Sequence, residues 1–153
     1  MTAHPMTAGE SRFEAQEHRD LALGLAHIED IIERSSDLGS DGLWARLHDT
    51  LRWLDRDVRP HMAWEDRWLY PQLDEIAETP WATRSARLEH RQIEKMIATL
   101  EADSERWLGH ATPRTGTLVV QHLSALRAVI AAHVEREDRL LLPLLGDPTD
   151  AQH

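Results

Sequence analysis

The chain has 153 residues, a net charge of −10 and no cysteine. That length suffices for one domain with a real core, and 41% hydrophobic with 29% charged residues argues against disorder. The negative charge disfavours nucleic-acid backbones and anionic membrane surfaces as partners; the lack of cysteine excludes disulfides, zinc–thiolate sites, iron–sulfur clusters and thiol catalysis within the chain.

Residues 1–10 are expected to form a mobile polar arm. No basic region followed by an apolar one marks a signal peptide there, and no apolar run is read as approaching the ~20 residues of a membrane span. The expected location is the cytoplasm. From Ser11 the pattern is helical, with Phe13, Leu21, Leu25, Ile28, Ile31 and Ile32 at three- and four-residue spacing. The Ser, Asp and Gly cluster at 35–42 predicts a turn. A second helix starts at Asp41 or Gly42 and carries Leu43, Leu47, Leu51, Leu54 and Val58. Pro60 predicts a kink rather than an end, because the stripe resumes with Met62, Trp64, Trp68, Leu69 and Leu73. Thr79-Pro80 and Thr112-Pro113 each read as a cap followed by proline at the first helical position. They open a third helix running to about Leu108 and a fourth ending near Gly146. No stretch alternates like a strand. The prediction is all-α: an up-down-up-down antiparallel four-helix bundle over residues 11–146, with a polar tail at 147–153.

One stretch recurs. HMAWEDRWLYPQL (61–73) returns 72 residues later as HVEREDRLLLPLL (133–145), identical at seven of thirteen positions. Each copy holds His-x-x-x-Glu, and residues four apart on a helix share a face. His27, His61, His90 and His133 each have apolar neighbours about one turn away, so they are expected to face inward, one from each helix. Glu65, Glu94 and Glu137 follow three of them by four residues. Four unpaired buried imidazoles would be costly, and buried Glu is rare unless paired or bound to metal. Seven such groups exceed one tetrahedral site and suit two octahedral ions sharing carboxylates. Imidazole and carboxylate without thiolate favour iron or manganese over zinc, copper or nickel.

AHIEDII around His27, PHMAWEDRWLYPQL from Pro60, EHRQIEKMI around His90 and HVEREDRLLLPLL from His133 together resemble the hemerythrin-like (HHE cation-binding) family over roughly residues 15–146. The resemblance implies a bundle enclosing two non-haem irons, bridged by carboxylates and an oxo or hydroxo group. By position, one iron would take His27 and His61 and the other His90, Glu94 and His133, with Glu65 and Glu137 between them. Oxygen-carrying members have His where this chain has Glu94, and they bridge through Asp at the position of Asp138. On a straight helix Glu137 is rotated about 40° from His133 and Asp138 about 140°, so Glu137 is preferred and Asp138 is the alternate.

Trp68 and its counterpart Leu140, with Gly24, are candidates for lining a pocket at the irons; core filling and close helix packing are the plainer roles for Trp68 and Gly24. Tyr70 is read as structural and His122 as a core histidine with a polar partner. His4, His18, His48, His110 and His153 are read as surface residues. The function implied is binding, sensing or processing oxygen, peroxide or nitric oxide; the alternatives are iron storage or catalase- or peroxidase-like turnover. Monomer and dimer remain equally compatible with the sequence.

Overall fold

The computed structural model describes residues 8–109 and 112–146. These are helical with short turns, and no strand occurs among them. Helix α1 spans Ala8–Trp53 and is followed without a break by a π-helical turn (Leu54–Val58), α2 (Arg59–Trp64), a second π turn (Glu65–Leu69) and α3 (Tyr70–Ile76). A turn at 77–83 leads to α4 (Arg84–Gly109). Then come α5 (Pro113–Arg136), a third π turn (Glu137–Leu141) and a 3-10 turn (Leu142–Leu145). The expected tail at 147–153 lies outside the described residues, as do His4, His110, His153 and all but the last three residues of the expected arm.

Counted as helical runs separated by turns there are three among the described residues, not the four expected. The loop predicted at 35–42 is helical on both sides of one residue, Gly39, at φ 66 and ψ 175. That region of backbone space is essentially confined to glycine. The run nevertheless doubles back: Glu14 Oε1 and His61 Nε2 are 3.8 Å apart, whereas 47 residues of straight helix would separate them by about 70 Å. The second helical run, expected as the third helix, also differs from expectation at its start. Thr79-Pro80 lies within the turn, α4 begins at Arg84, and Asp74 Oδ1 accepts from the backbone and hydroxyl of Thr83 at 3.1 and 2.9 Å. Glu78, at φ 55, ends the preceding helix in the left-handed region. The cap at Thr112 is as predicted, with Thr112 and Thr115 bonded reciprocally and Pro113 in the first turn.

The helix continues through Pro60, and the π turns show how. Arg59, Tyr70 and Leu142 each donate to a carbonyl five residues back, those of Leu54, Glu65 and Glu137. In every case the next residue is proline: Pro60, Pro71, Pro143. Proline has no N–H and its ring collides with the carbonyl four residues earlier. Widening the preceding turn moves that carbonyl aside without ending the helix. Two of these widened turns begin at the two glutamates of the repeat.

α4 and α5 pack on each other and both pack on α1. Leu21, Ile28, Ile31, Leu47, Leu54, Ile93, Ile97, Leu123, Leu126 and Ile130 form the main core; each such side chain contributes about 1.5–3 kcal/mol on burial. A second, smaller cluster holds Leu69, Tyr70, Leu73, Ala86 and Leu141. Between the two lies a band of buried charged and imidazole side chains. One run, Pro113–Leu145, is long and apolar enough by composition to cross a membrane, with mean hydropathy 1.3 over 18 residues. The expectation that nothing comes near a span is corrected to that extent. The buried stripe of that run, Val119, Leu123, Leu126 and Ile130, continues into His133 and Glu137.

Candidate metal centre

Seven side chains meet in the buried band: Glu14, His18, His61, Glu65, His90, His133 and Glu137. Each occupies the inward stripe of its helix. On α1 the stripe runs Glu14, His18, Leu21, Ile28, Ile31; on α4 it runs Ala86, His90, Ile93, Ile97, Leu100. Ligand atoms of Glu14, His18, His61, Glu65 and Glu137 lie within 4.8 Å of one another, and so do those of Glu65, His90, His133 and Glu137. Glu65 and Glu137 belong to both groups.

Five of the seven expected ligands are therefore brought together: His61, Glu65, His90, His133 and Glu137. His27 is not. It is exposed, and nine residues after His18 it points roughly 180° away on the same helix. Its neighbour Leu23, taken as a sign of an inward face, is itself exposed. Glu94 is not brought in either. It lies off the α4 stripe, 47% exposed, and pairs with Arg59 at 3.1 Å. Glu137 rather than Asp138 enters the cluster, as preferred. His18, read as a surface residue, is buried at its centre, with Nε2 3.1 Å from Glu137. Glu14 was not anticipated. His48 is half-buried and shares a hydrogen bond with Ser104 at 3.2 Å. His122 has the polar partner expected of it, Asp103 at 2.5 Å.

All four histidines present Nε2 to the cluster. Nε2 of His61 and of His90 lie 3.1 and 3.2 Å from Glu65 Oε1, and Nε2 of His133 lies 2.6 Å from Glu137 Oε1. Each Nδ1 faces a carboxylate from another helix. His18 donates to Asp138 at 2.7 Å, His90 to Asp66 at 3.0 Å and His133 to Glu89 at 2.8 Å, while Glu17 stands 3.6 Å from His61. A carboxylate can only accept, so at His18, His90 and His133 a proton sits on Nδ1 and Nε2 is the atom turned toward a cation.

The donors fit a metal. Both oxygens of Glu14 and of Glu65, one of Glu137, Nε2 of His18 and both nitrogens of His61 are buried without a hydrogen-bond partner. Buried polar atoms are otherwise almost always paired. Some are near one another, as His18 Nε2 and Glu14 Oε1 are at 2.6 Å, yet not aligned for a hydrogen bond. Nε2 of His90 and of His133 are 3.0 Å apart, the separation of two nitrogens each about 2.1 Å from one ion and at right angles.

Electrostatics point the same way. Burial pushes His18 down, but the carboxylates of Glu137 and Glu14 outweigh it and raise the imidazole to about 10. Burial lowers His61 to about 4. Burial, with Glu137 and Glu14 beside it, pushes Glu65 well above the usual carboxylate range. Glu137 is held well below that range, against its burial, by Glu65, His133 and His18. His133 is raised, also against burial, by Glu137 and Glu89. A proton on His18 thus offsets part of the buried negative charge where no cation does. Tyr70, read as structural, is in the site: its hydroxyl donates to Glu137 and lies 3.0 Å from His90 Nε2.

A family model for the hemerythrin HHE cation-binding domain matches residues 11–145. The chain belongs to that family. No curated protein and no solved structure matches it significantly. The matched region contains a buried His/Glu cluster able to hold a metal ion. Of the candidate pocket residues, Leu140 borders a cavity beside His133 and Glu137. Trp68 is 55% exposed with Arg67 over its ring, so it does not roof the cluster. Gly24 faces the Trp53 indole, which a Cβ at that position would strike; its role is close packing.

His18 had a signal in the sequence. The 72-residue offset that relates His61 to His133 also relates Glu17-His18-Arg19 to Glu89-His90-Arg91. Extending the repeat beyond its most similar stretch selects His18 over His27.

Proposed function

We propose that this HHE domain holds two iron ions, one in each ligand group, and uses them to bind or process a small ligand such as oxygen, peroxide or nitric oxide. The doubled-back first run would supply two of four antiparallel rods, with residues 11–146 as the functional unit and the cytoplasm as its place of action. The observation carrying this reading is that two adjacent ligand groups share Glu65 and Glu137, a pair of carboxylates suited to bridging. His18, His61 and Glu14 would hold one ion, and His90 and His133 the other. Imidazole and carboxylate donors without thiolate suit iron.

Iron, when bound, supplies redox and Lewis-acid chemistry at the shared centre. The chain's own residues do the rest. Asp138, Asp66 and Glu89 fix the imidazoles with Nε2 inward. Tyr70 holds a proton against Glu137. The apolar cluster of Leu69, Leu73 and Leu141 limits access of water from the end of the bundle. A cavity of about 100 Å³ adjoins the site, a size that suits a ligand of few atoms and not a store of many ions.

Elemental analysis of freshly purified protein, with the visible spectrum taken before and after azide, tests this. About two irons per chain and an azide-sensitive band are expected. Protein that remains metal-free after anaerobic iron loading would overturn the reading.

A further inference from the structure

The two ligand groups are related by the repeat, but not at every position. His18 corresponds to His90, His61 to His133 and Glu65 to Glu137. Glu14, one turn before His18, corresponds to Ala86, one turn before His90. Both positions are buried. In the first group Glu14 fills the space with a carboxylate whose two oxygens find no hydrogen-bond donor. In the second group a methyl stands there instead, and the cavity of about 100 Å³ opens beside it.

That cavity is walled by Ala82, Ala86 and Leu140 and reaches His133 and Glu137 of the cluster. Arg136 also borders it, paired with Glu89 at 2.7 Å. Its volume corresponds to about three water molecules at roughly 30 Å³ each. Its exposed wall is mostly apolar, and beside the cluster residues its polar groups are Ser85, Glu89 and the Arg136 guanidinium.

From this asymmetry we infer that small external ligands reach the centre at the His90–His133 group, through the cavity beside Ala86, and that Glu14 closes the His18–His61 group against them. The ligand class is a neutral molecule or monoanion of two or three heavy atoms: the methyl walls accept the former and Arg136 the latter. This rests on the two-metal reading, and each fails in its own way.

The experiment uses the full chain loaded with iron, with azide as probe. Metal per chain, the azide dissociation constant and the association rate are measured for the wild type, Ala86→Leu and Ala82→Trp. Ala86→Leu fills the cavity without adding a ligand atom, and Ala82→Trp narrows it at the wall. The expected result is two metals per chain throughout, azide bound at least about tenfold more weakly by Ala86→Leu, and slower association in Ala82→Trp. If Ala86→Leu does not fold or hold metal, the association rate of Ala82→Trp decides. Wild-type protein without metal would overturn the two-metal reading. Variants that bind azide as the wild type does would overturn the route alone, and metal-loaded wild type that ignores azide would overturn the route together with the small-ligand reading.

Discussion

Asp138 Oδ1 on the third π turn accepts a hydrogen bond at 2.7 Å from Nδ1 of His18 on α1. Asp138 follows Glu137 directly, so one dipeptide places a carboxylate in the cluster and orients an imidazole from another helix. Glu65-Asp66 does the same toward His90. The carboxylate expected as an alternate bridge is thus a positioning group. Outer partners of this kind typically change metal affinity 10–100-fold. Asp138→Ala and Asp66→Ala are each expected to weaken iron binding by about that factor, measured by competition with a chelator. Affinities within twofold of wild type would show that packing alone orients the rings.

His18 and His27 separate the structure from the expectation drawn from neighbouring residues. His18→Ala is expected to lower iron to one ion per chain or fewer. His27→Ala and Glu94→Ala should leave the stoichiometry unchanged. Loss of the partly exposed Glu94–Arg59 pair should alter stability by less than about 1 kcal/mol. Metal analysis and thermal melts check both parts.

The pH dependence of the metal-free protein follows from two histidines. His18 rises from 6.5 to about 10 on folding, so its contribution is complete below pH 6.5 and is lost as pH climbs through 10. His61 falls from 6.5 to about 4, so its contribution is present above pH 6.5 and is lost as pH drops through 4. Melting temperature in the presence of chelator should therefore peak near pH 6.5. Replacing His18 with Gln should flatten the alkaline limb; an unchanged limb would refute the assignment.

Metal uptake should release a proton at pH 7, because His18 is raised to about 10 in its absence. An indicator dye in weak buffer would register the release, and apparent affinity should increase with pH. Uptake without proton release would mean that the cluster is already deprotonated.

Two glycines should resist substitution for different reasons. Gly24→Ala gains about 1 kcal/mol of helix propensity but drives a methyl into the Trp53 indole, so a net loss of about 1–3 kcal/mol is expected. Gly39→Ala meets no neighbour but must adopt φ 66 with ψ 175, at a cost of about 1–3 kcal/mol. Urea melts of the metal-free protein measure each, and an unchanged midpoint would contradict the geometry.

The sequence by itself determined the helical class, the capped start of α5 and the passage of the helix through Pro60, since periodicity, capping and proline chemistry act within a few residues. It also determined that Glu65 and Glu137 face the same way as His61 and His133, because four residues make about one turn. What one helix presents to another was decided only in the tertiary structure. His27 and His18 lie on opposite faces of α1. The apolar residues near His27 make it look inward while His18 reads as a surface residue; the packing of α1 against α4 and α5 buries the His18 face instead. Glu94 keeps helical spacing with His90 but meets Arg59 instead of the cluster. Glu14 has no local mark at all; it becomes a site residue because the chain reverses at Gly39 and brings it to His61 across a gap that a straight helix would not close.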